Sequence, residues 1–142
     1  MTKGKYLGLD FGDRRVGVAI SDVDKSIVFP REAIRYEKPA ELFERFRQLC
    51  AEETITKIVI GLPIQMDGTV GEQVTKTYEF GKKLAKALPN VAVEYFDERL
   101  TTQAAEHRLR EQGIKAKNQK GQKDSLAAQL ILETYLKSMA NG

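Results

Sequence analysis

The sequence predicts one α/β domain over residues 1–142, built on a mixed five-stranded sheet of order 3-2-1-4-5 with strand 2 antiparallel and helices on both faces. Three observations predict this fold. Three strand-like segments joined by short turns open the chain, and helix-like and strand-like segments then alternate. A chain of 142 residues can bury about 70% of its unfolded surface around one core. Right-handed crossovers place the fourth and fifth strands beside the first.

The first three strands form an antiparallel meander, because only short turns rich in glycine and aspartate separate them. Pro30 lies in the third segment and cannot donate a ladder hydrogen bond, so we expect that strand at an edge of the sheet. The predicted strands cover residues 5–11, 14–22 and 26–34.

The remaining elements follow from helix signals and one buried-strand signal. Pro39 is typical of a first helical turn, and the apolar run at 57–61 is typical of a strand covered on both faces. Thr101 or Thr102 can cap a helix that Gly113 ends. We expect a helix from Pro39, a strand at 57–61, a helix at 70–88, a strand at 91–96, a helix ending at Gly113 and a last helix at 123–139.

The composition indicates a soluble cytoplasmic protein. No apolar stretch approaches the roughly 18 residues that span a bilayer, and the N-terminus runs into a strand without a signal peptide. Cys50 is the only cysteine, which excludes an internal disulfide and fits a reducing compartment. We expect Cys50 to be a small buried hydrophobic residue.

Three carboxylates predict a divalent-metal site. Asp10 interrupts an apolar strand, where an unpaired carboxylate costs several kcal/mol. Glu98 ends a later strand, and Asp124 begins the last helix. Ligands of open α/β sheets bind at the carboxyl ends of the strands, where these residues converge. A divalent ion relieves their mutual repulsion, and an all-oxygen site suits Mg²⁺ or Mn²⁺.

Each acid also has a purely structural interpretation. Asp10 could support the turn near Gly12, Glu98 could pair with Arg99 on the surface, and Asp124 could cap its helix. Asp97 competes with Glu98 for the functional role. Gly8 lies on the same strand face as Asp10 and leaves room for something to approach, which favours a ligand site.

The basic residues predict contacts with nucleic acid. Between residues 108 and 123, six lysines and arginines face one acidic residue, just before Asp124. This segment could be a solvated loop, but its position favours a clamp on phosphates. The predicted nucleic-acid-binding residues are Arg14, Arg15, Arg99, Lys115, Lys117, Lys120 and Lys123.

Two other site classes do not fit. His107 is the only histidine and is expected on a solvated helix face, which argues against a histidine-based nuclease or a Ser-His-Asp hydrolase. Residues 12–17 match the start of a P-loop, but Val18 stands where that motif requires lysine.

Five segments carry recognisable motifs: residues 7–12, 15–19, 60–63, 97–102 and 123–128. Asp-Glu-Arg-Leu-Thr-Thr at 97–102 is the most specific of them. Together these motifs resemble the YqgF family. The family is assigned as Holliday junction resolvases and, more recently, as pre-16S rRNA nucleases. The resemblance implies a ribonuclease H-like fold, catalytic and metal-binding acids at Asp10, Glu98 and Asp124, and processing of the 5′ end of pre-16S rRNA.

The leading hypothesis is therefore an Mg²⁺-dependent phosphodiester hydrolase in which Asp10 bridges two ions and Glu98 and Asp124 each hold one. Precursor rRNA is the favoured partner, and branched DNA is the alternative. Junction resolution needs a symmetric dimer, whereas the sequence slightly favours a monomer. The rivals are a non-catalytic RNA-binding module, whose acids serve only as caps and ion pairs, and an actin-like ATPase, which needs two such domains.

Overall fold

The computed structural model describes residues 4–101 and 125–141. The described elements lie close to those predicted, with the fourth strand longer at both ends. Thr101 ends a short 3-10 helix, and the rest of the helix predicted from Thr101 or Thr102 to Gly113 lies outside the described residues. The elements are β1 (Lys5–Phe11), β2 (Arg15–Ser21), β3 (Val28–Arg35), α1 (Pro39–Glu53), β4 (Ile55–Leu62), α2 (Glu72–Ala87), β5 (Ala92–Asp97), a 3-10 helix (Glu98–Thr101) and α3 (Leu126–Asn141).

The sheet has the predicted order, β3-β2-β1-β4-β5. β1 and β2 are antiparallel, as are β2 and β3, because short turns join them. β4 pairs in parallel with both β1 and β5. Pro30 lies on an outer strand, as predicted. The carboxyl ends of β1, β4 and β5 consequently meet at one edge of the sheet.

Helices cover both faces of the sheet. On one face, α1 and α2 pack against residues such as Leu7, Leu9 and Ile58, and Phe46 is fully buried there. On the other face α3 packs through Ala128, Ile131, Leu132 and Tyr135, and it is the one α-helix there among residues 4–101 and 125–141. Ile131 and Leu132 each contribute roughly 1.5–3 kcal/mol on burial, so the apolar face of α3 stabilises its packing on the sheet.

Gly8 lets α3 approach the sheet, which corrects the expectation that it leaves room for a ligand. A Cβ atom at Gly8 would lie 2.8 Å from the carbonyl oxygen of Ala128 and 2.8 Å from Cβ of Leu132. Real Cβ atoms do not come so close to other atoms, so α3 occupies the space above Gly8.

Cys50 is buried at the end of α1, as predicted. Burial raises the pKa of its thiol to about 11, so the thiolate that reacts and binds metals is scarce at neutral pH. Within the part of the chain that the structure describes, none of the helices is long and apolar enough to cross a membrane.

Candidate active site

Asp10 and Glu98 lie at the edge where the parallel strands end. Leu9 of β1 pairs with Ile60 of β4, so the next step of that register sets Asp10 beside Gly61. Gly61 in turn pairs with Phe96 of β5, and Glu98 follows directly after that strand. The predicted convergence of these two acids is therefore built by the parallel pairing of three strands.

Both side chains lie on the α3 face of the sheet. Gly8 faces α3, and alternate residues of a strand point to the same side, so Asp10 faces α3 as well. A Cβ atom on Gly61 would clash with Ile131 of α3 and lie 2.9 Å from Cγ of Glu98. The absence of a side chain at Gly61 thus makes the space that Glu98 occupies.

The two carboxylates are desolvated and repel each other. Burial raises the pKa of Asp10 above its ordinary value. The pKa of Glu98 is raised to about 7, first by burial, then by the negative charge of Asp10 and then by that of Asp97. Both groups therefore resist ionisation unless a positive charge is supplied.

The donor set fits a hard divalent cation. Within residues 4–101 and 125–141, neither carboxylate has a hydrogen-bond or ion-pair partner. Carboxylate oxygens are the ligands that Mg²⁺ and Mn²⁺ prefer. The described residues contain no group of three metal-binding side chains. The third predicted ligand, Asp124, lies outside them.

Ser125 fastens the start of α3 to the sheet beside this site. Its fully buried hydroxyl accepts a 3.0 Å hydrogen bond from the backbone N–H of Val18 in β2, where the β2–β3 register shifts. Its carbonyl accepts a helical bond from the N–H of Gln129 at 2.9 Å. Val18 pairs with Leu9, one register step from Asp10. This anchor was not predicted from the sequence, because the bond joins residues 107 positions apart.

Arg99 binds Asp97, not Glu98, so the surface pair predicted as an alternative for Glu98 is not formed. Nη2 and Nε of Arg99 donate to Oδ2 of Asp97 at 2.6 and 2.9 Å, and the backbone N–H of Arg99 donates to Oδ1 at 2.9 Å. These bonds hold the pKa of Asp97 below its usual range. Asp97 is therefore engaged by Arg99, whereas Glu98 remains beside Asp10.

The other predicted phosphate-binding residues divide into two groups. Arg14 lies in the turn between β1 and β2, and Arg15 is the first residue of β2; both are exposed. A 3.0 Å bond from the N–H of Gly12 to the carbonyl of Arg15 closes the turn. The second group lies outside the described residues and comprises Lys115, Lys117, Lys120 and Lys123.

Comparison with known proteins adds a family match and close relatives. Residues 4–138 match the model of the family described as "RuvX: Holliday junction resolvase". A Chloroflexus aggregans protein named "Putative pre-16S rRNA nuclease" is 43% identical over 141 residues, which cover 99% of both chains. A protein of the same name from Agathobacter rectalis is 41% identical over 140 residues, covering 96% of this chain and 97% of the relative.

Solved structures of junction resolvases share the fold. T. thermophilus RuvC in complex with a Holliday junction substrate superposes with a TM-score of 0.69 at 14% identity, over 98% of this chain and 96% of that one. The yeast mitochondrial Holliday junction resolvase Ydc2 gives a TM-score of 0.61 at 12% identity, over 97% and 80%. The ribonuclease H-like fold predicted from the motifs is thereby confirmed.

Proposed function

The chain belongs to the RuvX family, which is the YqgF family of the sequence motifs, and from that premise we propose a divalent-metal-dependent nuclease that processes precursor 16S rRNA. One observation supports the metal dependence. Asp10 and Glu98 are desolvated carboxylates at the carboxyl ends of parallel strands, close enough for the charge of Asp10 to raise the pKa of Glu98. A non-catalytic binding module has no use for such a pair, which destabilises the fold when ionised.

Asp10 and Glu98 are the residues that would hold the ion, as Mg²⁺ or Mn²⁺. A bound divalent ion supplies charge neutralisation for the phosphodiester and acidifies water for attack. Asp10 contributes a carboxylate fixed in the sheet, and Glu98 one whose proton is retained up to a pH of about 7. Glu98 must therefore lose its proton before it can hold the ion, and its surroundings in the protein set the pH at which that happens.

We include Asp124 in the proposed site because its neighbour is fixed there. The hydroxyl of Ser125 is bonded to Val18, one register step from Asp10. Asp124 directly precedes Ser125 in the sequence. Asp124 would act as the third ligand.

Substrate phosphates would be positioned by Arg14 and Arg15 where β2 begins, by Arg99, and by the lysines of the basic segment. Such contacts fix the backbone without reading sequence. The guanidinium of Arg99 is already oriented by Asp97.

The relatives' names support precursor rRNA, because sequences 41–43% identical over nearly the whole chain carry it. Cleavage of a Holliday junction is the second candidate, favoured by the family description and by the RuvC fold. Resolution of a junction needs two symmetric cuts and hence a dimer.

A cleavage assay with both substrates tests the proposal. We expect the purified protein to cut a precursor 16S rRNA fragment in Mg²⁺ or Mn²⁺, to stop when the ion is chelated, and to leave a four-way DNA junction intact. Cleavage of the junction but not of the rRNA fragment would contradict this proposal and favour the second candidate, Holliday junction cleavage. Equal cleavage with and without chelator would contradict the metal site.

Ser125→Ala is expected to weaken binding of Mn²⁺ about tenfold or more, the loss typical when a residue that orients metal ligands is removed. Leaving the buried amide of Val18 unpaired also costs about 1–3 kcal/mol of stability. Isothermal titration with Mn²⁺ and urea unfolding measure the two effects.

Ser21→Ala is the matched control. Ser21 is equally buried and accepts a 2.8 Å bond from the N–H of Tyr6, but at the other end of the sheet. We expect Ser21→Ala to lose similar stability while keeping its Mn²⁺ affinity. If both variants bind Mn²⁺ equally well, Ser125 does not organise the site.

A further inference from the structure

A cavity of about 270 Å³ opens at the same end of β1 as the candidate active site. Phe11, the last residue of β1, lines it, directly after Asp10. Phe11 packs on the α1 and α2 face of the sheet, whereas Asp10 faces α3. The cavity and the acid pair therefore lie on opposite faces of one sheet edge.

Four aromatic rings line the cavity in nearly parallel orientation. Phe11 stacks on Phe80 with ring centroids 4.3 Å apart and planes 10° apart. Tyr36 is inclined by 18° to Phe11, and Phe43 by 23° to Phe80. The Tyr36 hydroxyl donates to the carbonyl of Gly12 at 2.5 Å, which fixes this ring to the turn after Asp10. The rings thus pack on one another, with 4.3–6.2 Å between centroids, and the cavity beside them forms a slot in which a planar ring can pack against this aromatic stack.

The rim carries both hydrogen-bond donors and acceptors. Lys76 and Lys83 contribute ammonium groups, and Asp13, Glu37 and Glu79 contribute carboxylates. A rim of mixed sign does not suit a run of phosphates, because the carboxylates repel them. It does suit the edge of a base, which presents donors and acceptors side by side.

We propose that this slot binds one unpaired nucleobase of the nucleic-acid substrate. Proteins recognise single-stranded RNA by stacking splayed-out bases on aromatic side chains and bonding their edges. The inference rests on the proposed function only in taking nucleic acid as the ligand. A strand that crosses the end of the sheet would set a phosphate at Asp10 and a neighbouring base in the slot, so substrates with an unpaired base beside the cut are preferred.

Phe43→Leu tests the slot, with Phe46→Leu as the matched control. Both residues lie on α1 and both rings contact Phe80, but Phe46 is fully buried and does not line the cavity. Affinity is measured by fluorescence with a short single-stranded RNA containing 2-aminopurine and with a fully paired RNA of the same sequence. Chelator is present, so that binding is read without cleavage.

We expect Phe43→Leu to weaken binding of the single-stranded RNA by about fivefold to a hundredfold, the range for stacking of one base, and to leave binding of the paired RNA unchanged. Phe46→Leu should bind both as the parent does. Equal affinities of the two variants, or equal weakening for both RNAs, would overturn the base site, whatever the cleavage assay shows. Failure of the parent to bind the single-stranded RNA would overturn it too.

If Phe43→Leu does not fold, a second pair of variants tests whether the slot binds a base. Lys83 lines the rim, whereas Lys82 is an exposed neighbour on α2 that does not. Lys83→Gln is expected to weaken binding of the single-stranded RNA by about twofold to fivefold, as for an exposed charged contact. Lys82→Gln should have no such effect, and identical results for the two lysines would contradict the proposal.

Discussion

Asp10→Asn is expected to slow metal-dependent cleavage by at least about a thousandfold. A divalent ion supplies several kcal/mol of charge stabilisation in phosphodiester hydrolysis, and each 1.4 kcal/mol or so corresponds to a tenfold change in rate. The amide keeps the size of the side chain but carries no charge to hold the ion. Single-turnover cleavage of precursor rRNA in Mg²⁺ measures the loss, and nucleic-acid affinity should be largely kept.

The same substitution is expected to stabilise the fold without metal. Burial raises the pKa of Asp10, so the ionised carboxylate opposes folding at neutral pH. Asparagine removes that charge and also the repulsion that Asp10 exerts on Glu98. Urea unfolding in chelator should therefore give a higher free energy of unfolding for the variant than for the parent.

Asp22→Asn is the control for both effects. Asp22 accepts bonds from the backbone N–H groups of Ser26 and Ile27 at the opposite end of β2, which lower its pKa. This variant should lose stability and keep the cleavage rate, the reverse of Asp10→Asn. An Asp10→Asn protein that cuts as fast as the parent would contradict the mechanism.

The meeting of Asp10 and Glu98 could be predicted because it depends only on strand order. Short turns fix the antiparallel meander, right-handed crossovers place β4 and β5 beside β1, and the carboxyl ends of parallel strands share an edge. Which residues end those strands can be read from the chain to within a residue or two. No side-chain contact has to be known for that result.

The partner of Arg99 could not be predicted, because Asp97 and Glu98 are adjacent and both acidic. The 3-10 helix after β5 decides between them: the Asp97 carboxylate binds the backbone N–H and the side chain of Arg99, and Glu98 turns toward Gly61. The role of Gly8 could not be predicted either, because it depends on which helix packs against this residue. The Ser125–Val18 bond joins residues 107 positions apart, a pairing that no local pattern encodes.

Glu98 is expected to make the free protein less stable as the pH rises from about 4.5 to about 7. Its pKa is 4.5 ordinarily and about 7 in the folded protein. Below the lower value both states are protonated and Glu98 contributes nothing. Between the two values the unfolded chain releases the proton while the folded chain retains it, so unfolding is favoured progressively. Above about 7 both states are ionised and the loss is complete.

The full effect amounts to about 3 kcal/mol, since one pKa unit corresponds to about 1.4 kcal/mol. Comparison with Glu98→Gln, which cannot ionise, isolates it: the variant should match the parent near pH 4 and exceed its free energy of unfolding by about that amount at pH 8. Urea unfolding in chelator across this range is the measurement. Adding Mg²⁺ should restore stability to the parent above pH 7 and not to the variant, because the ion binds the ionised carboxylate.

Glu94→Gln is a control whose expected effect on stability has the opposite sign. Glu94 lies in β5, the strand that ends directly before Glu98. The hydroxyl of Tyr135 donates to the Glu94 carboxylate and, together with Lys57, holds its pKa below the usual value. The stability that the ionised Glu94 gains from these partners is fully present above pH 4.5 and is lost only at lower pH. Glu94→Gln should thus be less stable than the parent by a constant amount between pH 5 and 8, while the advantage of Glu98→Gln grows. Parallel curves for the two variants would show that Glu98 ionises normally in the folded protein, and the acid pair would then have no need of a metal.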